Sequence, residues 1–240
     1  MGIYSYWSRC IRECAPAVQQ RFKSSMQMFF QAVHQQALFR ANGVVPDLET
    51  YIDMRRDTSG CKPVFDLIEY SLDLELPDVV VEDPVIVALN QGANDLVTWS
   101  NVSIPACLFT NRHSLLGVQD IFSYNVEQSR GDTHNMICVY MIHEGLSLQQ
   151  AVDRVGEMCK RTIETFVENQ ARIPSWGDDI DAAVTLYVHG LREWIVGSLH
   201  WSFVTTRYFG NNGEFVRATR IVDLLTQEED AKGEVVDLYC

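Results

Sequence analysis

Residues 120–135 read DIFSYNVEQSRGDTHN, and residues 99–101, before an interruption, read WSN. Without residues 102–119 the two stretches join into the pattern Asn-Asp-x-x-Ser-x-x-x-Glu. Its three ligand candidates are Asn101, Ser123 and Glu127. On a helix, positions four apart drift only about 40° per step, so their oxygens face one way. Because Mg²⁺ prefers oxygen ligands and keeps places for water and phosphate, the pattern predicts a helix with a magnesium–diphosphate site.

Apolar residues recur at helical spacing along most of the chain, and no convincing run alternates as a strand would. The predicted fold class is therefore all-α. Proline and glycine mark the ends of predicted helices, which cover residues 15–39, 47–56, 63–70, 84–101, 147–170 and 178–209. The first helix is predicted to carry an apolar stripe of Met26, Phe29, Phe30, Val33, Ala37 and Leu38. The last is apolar almost all round, which predicts a central position.

The composition narrows the class of protein. With 240 residues, 47% of them hydrophobic, one domain is predicted over residues 1–225, followed by a polar acidic tail at 226–240. The formal net charge of −13 argues against nucleic acid as a partner. No apolar stretch approaches the roughly 20 residues of a membrane-spanning helix, and no targeting signal or specific protein partner is predicted. Seven cysteines without a CxxC pair indicate reduced thiols and a cytoplasmic location.

Three further motifs stand in order around the metal motif. Residues 55–63 read RRDTSGCKP. Arg130-Gly131-Asp132 follows the helix predicted to carry the metal motif, and Arg207-Tyr208 closes the last predicted helix. Taken with the metal motif, this order resembles the class I terpene synthases. Within them it is most similar to the sesquiterpene cyclases of mushroom-forming fungi. The resemblance covers roughly residues 22–215 apart from the interruption.

The resemblance implies a fold and a reaction. The fold is the all-α bundle of class I terpenoid synthases, and its N-terminal helices are expected to be missing from this chain. The reaction is the magnesium-dependent ionisation of farnesyl diphosphate, followed by cyclisation of the carbocation and release of diphosphate. Geranyl and geranylgeranyl diphosphate stay open as substrates, and the terpene product cannot be read from the sequence.

The resemblance also implies a set of site residues. Asn101, Ser123 and Glu127 are expected to bind one of the three Mg²⁺ ions of the intact family, with fewer than three ions in this chain. The residues expected to bind diphosphate are Arg56, with Arg55 as the less favoured candidate, Arg130, Arg207 and Tyr208. Gly60 lies where the family breaks its helix, and it is expected to aim a backbone carbonyl at the allylic cation.

Other features argue against a complete enzyme. The aspartate-rich DDxxD motif of the family is absent from the sequence, and Asp178-Asp179-Ile180-Asp181 has the wrong spacing to replace it. Residues 94–98, NDLVT, imitate the start of the metal motif, but Val102 stands where Glu is needed, so we interpret them as a decoy. The alternative function is a catalytically inactive, truncated homologue. A general helical interaction module is a third hypothesis.

The aromatic residues of the predicted helices leave two interpretations open. They either line a cavity whose π faces stabilise carbocations, or they form ordinary hydrophobic core. The residues concerned are Trp99, Phe122, Tyr187, Trp194, Trp201 and Phe203.

We interpret residues 102–119, which interrupt the metal motif, as a translated intron. Val-Ser after Asn101 is what a GTGAGT splice donor would encode in this frame, and Gln119 is what a terminal CAG would encode. If the segment is retained, Gln119 takes the Asn position of the metal motif. We expect sequencing of the spliced transcript to show a message that lacks codons 102–119. A message that keeps these codons would contradict the hypothesis.

Overall fold

Helices make up all the regular structure of the computed structural model, which describes residues 8, 12, 14–99 and 119–226. They are α1 (Pro16–Ala41), α2 (Leu48–Thr58), α3 (Cys61–Ser71), α4 (Asp78–Val81), α5 (Pro84–Trp99), α6 (Gln119–Ser129), α7 (Met136–His143), α8 (Leu148–Gln170), α9 (Asp178–Val204), α10 (Thr206–Phe209), a 3₁₀ turn (Gly210–Asn212) and α11 (Gly213–Thr219). Within the described ranges, no helix combines the length and the apolar character that crossing a membrane requires.

Local sequence signals explain most of the helix ends. Pro16 occupies the first turn of α1, where its missing N–H costs nothing. The Asp47 carboxylate accepts a hydrogen bond from the Thr50 backbone N–H and caps α2. Ser147 and Gln150 form a reciprocal capping box at the start of α8. These caps satisfy backbone donors that the first turn of a helix leaves unpaired.

Two predicted helix boundaries are wrong. Helix α3 begins at Cys61 rather than Pro63, because a proline in the first turn removes an N–H that has no intrahelical acceptor. The predicted helix at 178–209 is two helices, since Thr205 adopts an extended conformation (φ −68°, ψ 142°). The Thr205 hydroxyl accepts from the Arg207 N–H at 3.3 Å and starts α10 in a new direction.

The largest hydrophobic core lies between α3, α5, α8 and α9. Helix α5 packs along α8 on one side and against α9 on the other. The fully buried residues of this core include Leu76, Val80, Ile86, Leu89, Ala93 and Leu191. A second core joins α2, α7 and α8 around Tyr51, Met54, Trp99, Met136, Ile137, Val139, Tyr140, Ala151 and Val155. The last helix is predicted to be central, but α5 holds the central position. Helix α9 packs beside α5.

The apolar stripe predicted for α1 is only partly correct. Phe30, Val33 and Leu38 are exposed, with 58% of Phe30 accessible. Val18 and Ser25 are the buried positions of this helix. Both faces of α1 carry apolar residues, so periodicity alone does not decide which face packs.

An ion pair fixes the packing of α1. The Arg21 guanidinium donates to both carboxylate oxygens of Glu69, a side chain only 3% exposed. Glu69 also accepts from the Leu76 N–H, and Arg21 donates to the Leu76 carbonyl. Because a charge this deep in the protein must be paired, the contact sets the register between α1 and α3.

Asp66 lies on α3 beside this ion pair, and burial raises the pKa of its carboxyl to about 6. Its Oδ2 atom is buried without a hydrogen-bond partner among the described residues. A raised carboxyl pKa means that the folded state binds more protons than the unfolded state between pH 4 and 6, so stability falls as pH rises through that window.

We expect Asp66→Asn to raise the free energy of unfolding by about 1–3 kcal/mol at pH 7.5, and to have little effect at pH 4. Urea unfolding followed by circular dichroism at both pH values measures this difference. The matched control is Asp153→Asn, because Asp153 is exposed on α8 and its hydrogen bond from Gln149 can be kept by an amide oxygen. Equal destabilisation by Asp66→Asn at both pH values would contradict the assignment.

Candidate functional site

The break between α2 and α3 is built around Gly60. Its φ of 74° lies in the left-handed region, which a glycine adopts without the steric penalty of a Cβ. The Ser59 hydroxyl lies 3.1 Å from the Arg56 carbonyl and accepts from the Cys61 N–H at 3.1 Å. The break therefore carries polar groups into the space between the two helices.

The Asn94 side chain on α5 satisfies those polar groups. Its Nδ2 donates to the Arg56 carbonyl at 2.7 Å, and its Oδ1 accepts from Ser59 Oγ at 2.9 Å and Thr98 Oγ1 at 3.1 Å. Asn94 is 2% exposed. A buried amide with partners on both its nitrogen and its oxygen fixes the break firmly against α5.

The next residue, Asp95, holds the Arg56 side chain. Arg56 Nε donates to Asp95 Oδ1 at 2.8 Å, and Nη2 donates to Oδ2 at 2.9 Å. The guanidinium lies 5.4 Å from the centre of the Trp99 ring. Burial raises the pKa of Asp95, while the hydrogen bonds from Arg56 oppose that shift and raise the pKa of the arginine.

Ser123 and Glu127 lie on α6, and both side chains contact the Asn135 amide. Asn135 Nδ2 donates to Glu127 Oε2 at 2.8 Å and lies 3.4 Å from Ser123 Oγ. Asn135 Oδ1 accepts from the Ile137 N–H as the cap of α7, which fixes the orientation of the amide. The hydroxyl and carboxylate oxygens therefore converge, as the spacing of four residues predicts.

The third ligand candidate, Asn101, lies outside the described residues, as do residues 102–118. Helix α6 begins at Gln119, four residues before Ser123, so that position of the motif is helical in the chain as it stands. Among the residues that the structure describes, no cluster of three or more His, Cys, Asp and Glu side chains could hold a metal ion.

The Arg207-Tyr208 pair lies beside α6. Tyr208 is 4% exposed and its ring lies 6.2 Å from that of Phe122, the neighbour of Ser123 on α6. Arg207 is exposed, and its guanidinium lies 5.5 Å from the centre of the Tyr208 ring. The helix break at Thr205 thus turns Tyr208 toward α6 and leaves Arg207 at the surface.

Arg130 directly follows the last residue of α6 and is exposed. The same helix is held on another face by the segment near residue 224. Asn125 Oδ1 accepts from the Leu225 N–H at 2.7 Å, and its Nδ2 donates to the Asp223 carbonyl at 3.1 Å. Gln128 Nε2 donates to the Leu225 carbonyl at 2.8 Å. These bonds fix α6 from the side that does not carry the ligand candidates.

Two cavities flank the break between α2 and α3. The first, of about 780 Å³, is lined by cationic and acidic side chains that include Arg21, Arg56, Asp57 and Lys62. The second, of about 800 Å³, is mostly apolar and is lined by Ser59, Gly60, Val97, Trp194 and Trp201 among others. Arg56 thus lines the first cavity, and Gly60 lines the second.

Contacts between aromatic rings connect the wall of the second cavity to α6. Trp201 packs edge-on against Tyr208 at 5.9 Å, and Tyr208 packs against Phe122. Some of the aromatic residues therefore line a cavity, and the others belong to the hydrophobic core. Trp194 and Trp201 line the second cavity, and Tyr187 lines the first. Trp99, Phe122 and Phe203 are core residues with 3–6% exposure.

Sequence reasoning missed three residues of this site. Asn94 and Asp95 belong to the stretch interpreted as a decoy, and Asn135 ends the quoted stretch at 120–135 without a predicted role. A signal was present, since an Asn-Asp pair inside the apolar helix at 84–99 needs buried partners. The partners lie 38 and 39 residues away in sequence, where spacing on one helix gives no information.

Comparison with known proteins identifies relatives of this chain. Residues 1–165 match the family model described as terpene synthase family 2, C-terminal metal binding. The chain is 58% identical over 221 residues to alpha-muurolene synthase of Coprinopsis cinerea, covering 92% of this chain and 48% of that protein. It is 56% identical over 223 residues to sesquiterpene synthase Agr3 of Cyclocybe aegerita, covering 93% and 57%. The chain spans about half the length of these curated relatives.

Solved structures share the fold. Germacradien-4-ol synthase from Streptomyces citricolor superposes with a TM-score of 0.66 at 23% sequence identity, covering 83% of this chain and 59% of that one. The predicted all-α fold of class I terpenoid synthases is confirmed by this similarity.

We expect Asn94→Ala to lower the free energy of unfolding by about 2–4 kcal/mol, because it leaves the Arg56 carbonyl and the Ser59 hydroxyl without their buried partner. Urea unfolding measures the change. Asn42→Ala removes an exposed amide that bonds the Leu38 carbonyl, and it should cost less than about 1 kcal/mol. Similar losses for the two variants would show that Asn94 does not hold the break.

Proposed function

Because this chain belongs to terpene synthase family 2, whose C-terminal metal-binding model it matches over residues 1–165, we propose that it forms the metal- and diphosphate-binding part of a sesquiterpene synthase. The reaction is ionisation of farnesyl diphosphate, cyclisation of the carbocation and release of diphosphate. The observation that carries the proposal is the convergence of the Ser123 and Glu127 oxygens on α6.

The converging oxygens suit Mg²⁺. A hydroxyl and a carboxylate are hard oxygen ligands, and the ion keeps further positions for water and phosphate oxygens. Asn101 supplies the third ligand, or Gln119 in a chain that retains residues 102–119. Asn135 orients both oxygens, because its amide bonds each of them. When bound, the ion neutralises negative charge on the diphosphate and so assists its departure.

Cationic and hydroxyl groups bind the diphosphate in this proposal. Arg56, Arg130 and Arg207 supply guanidinium N–H donors, and Tyr208 supplies a hydroxyl. The position of Tyr208 against Phe122 supports its role, since this contact places the tyrosine beside the metal helix. Donors held in place before the reaction stabilise the developing negative charge of the leaving group.

The second cavity accommodates the prenyl chain. Its volume of about 800 Å³ and apolar lining suit a hydrocarbon of this size. Trp194 and Trp201 present π systems that stabilise a carbocation, and Gly60 at the cavity wall carries the backbone carbonyl proposed to face it.

The direct test is Mg²⁺-dependent binding of farnesyl diphosphate to the purified chain, measured by titration calorimetry. We expect Glu127→Gln and Ser123→Ala to weaken this binding by roughly 10–100-fold, because each removes an oxygen ligand. Asn125→Ala is the matched control on α6, since its amide bonds residues 223 and 225 rather than the ligand candidates. Absence of Mg²⁺-dependent binding by the unmodified chain would overturn the proposal.

A second measurement separates the enzyme from its inactive alternative. Released diphosphate and volatile hydrocarbons are followed after incubation with farnesyl diphosphate and Mg²⁺. Hydrocarbon formation that Glu127→Gln abolishes supports the synthase. Binding without release of diphosphate would instead support a catalytically inactive homologue that keeps its affinity for the substrate.

A further inference from the structure

The Arg56 guanidinium has an inner and an outer edge. The inner edge, Nε and Nη2, is bonded by Asp95, whose side chain is 7% exposed. On the outer edge Nη1 donates to Asp53 at 3.3 Å, and the Asp53 side chain is 71% exposed. The Gln91 amide bridges the edges, because in the orientation that satisfies both groups its oxygen accepts from Nη1 at 2.9 Å and Nη2 at 2.7 Å.

We propose that Asp95 is a positioning residue for diphosphate binding, acting through Arg56; the inference rests on the diphosphate-binding role proposed above for that arginine. Asp95 fixes the inner edge of the guanidinium, so that the outer edge faces the first cavity, which Arg56 lines together with Arg21, Lys62 and acidic side chains. Trp99 supports one face of the same group. An arginine held in this way loses less side-chain entropy when it binds a ligand.

The two carboxylates around Arg56 have different parts in this scheme. Asp53 reaches Arg56 over a long, solvent-exposed contact, which contributes little and which a phosphate oxygen can replace. Asp95 makes two short parallel bonds in a buried setting, and their loss would leave the guanidinium without its fixed orientation. Diphosphate therefore replaces Asp53 on the outer edge while Asp95 stays bonded to the inner edge.

Charge alone predicts a different outcome from positioning. Asp53→Asn and Asp95→Asn each remove one negative charge beside Arg56, and both would strengthen the binding of an anion if only the electric field mattered. Positioning predicts opposite signs, because only Asp95 orients the guanidinium. The pair of variants thus separates the two effects with the same chemical change.

The experiment measures the affinity of the chain for inorganic pyrophosphate in the presence of Mg²⁺ by titration calorimetry. We expect Asp95→Asn to weaken binding about tenfold, the equivalent of one charge-assisted hydrogen bond. Asp53→Asn should leave binding equal or tighter, and the surface variant Asp153→Asn should leave it unchanged. In the Arg56→Lys background, which cannot form the bidentate pair, Asp95→Asn should have no further effect.

The outcomes are distinguishable. If Asp95→Asn binds pyrophosphate as tightly as the unmodified chain, or weakens binding equally in the Arg56→Lys background, the positioning role is wrong and the proposed function stands. If the unmodified chain does not bind pyrophosphate with Mg²⁺, the proposed function fails and this inference fails with it. Circular dichroism checks that each variant folds. Should Asp95→Asn not fold, Asp95→Glu gives the same comparison, because it keeps the charge and moves the carboxylate by one methylene.

Discussion

The Asn94 side chain is the contact on which the arrangement of the site depends. A helix break at Gly60 leaves the Arg56 carbonyl and the Ser59 hydroxyl inside the domain, and buried polar groups must be paired. One amide on α5 pairs both. Because Asp95 follows directly on the same helix, the segment that fixes the backbone of the break also fixes the side chain of Arg56. The main-chain break and the arginine therefore cannot move independently of α5.

A second break orders the opposite wall of the site. Thr205 interrupts the helical run and caps α10, which turns Tyr208 inward against Phe122 on α6. The apolar second cavity lies between these two breaks, with Gly60 on one side and Trp201, which contacts Tyr208, on another. In both places an interruption of regular structure brings a polar group to the edge of an apolar space. Straight helices would have kept these groups along their own faces.

The sequence predicts the features that are local. Caps, prolines and glycines give the ends of α1, α2 and α8 within a few residues, and the spacing of Ser123 and Glu127 predicts their common face. The features it does not predict depend on distant partners. Asn94 and Asp95 look like an incomplete metal motif until α2 is placed beside them. The outward face of α1 and the turn at Thr205 are likewise decided by packing, which periodicity does not contain.

The contacts of Asn94 and Thr98 give a structural reason for the spacing of the residues that we interpret as a decoy. If residues 102–119 are removed, Asn94, Thr98, Asn101, Ser123 and Glu127 follow one another at intervals of four, three, four and four residues. Such intervals keep all five on one face of a continuous helix. The first two residues of that face hold the break that carries Arg56, and the last three are the candidate metal ligands. One helical stripe would then join the arginine side of the site to its metal side, and an insertion between Asn101 and Ser123 would separate the two halves of that stripe.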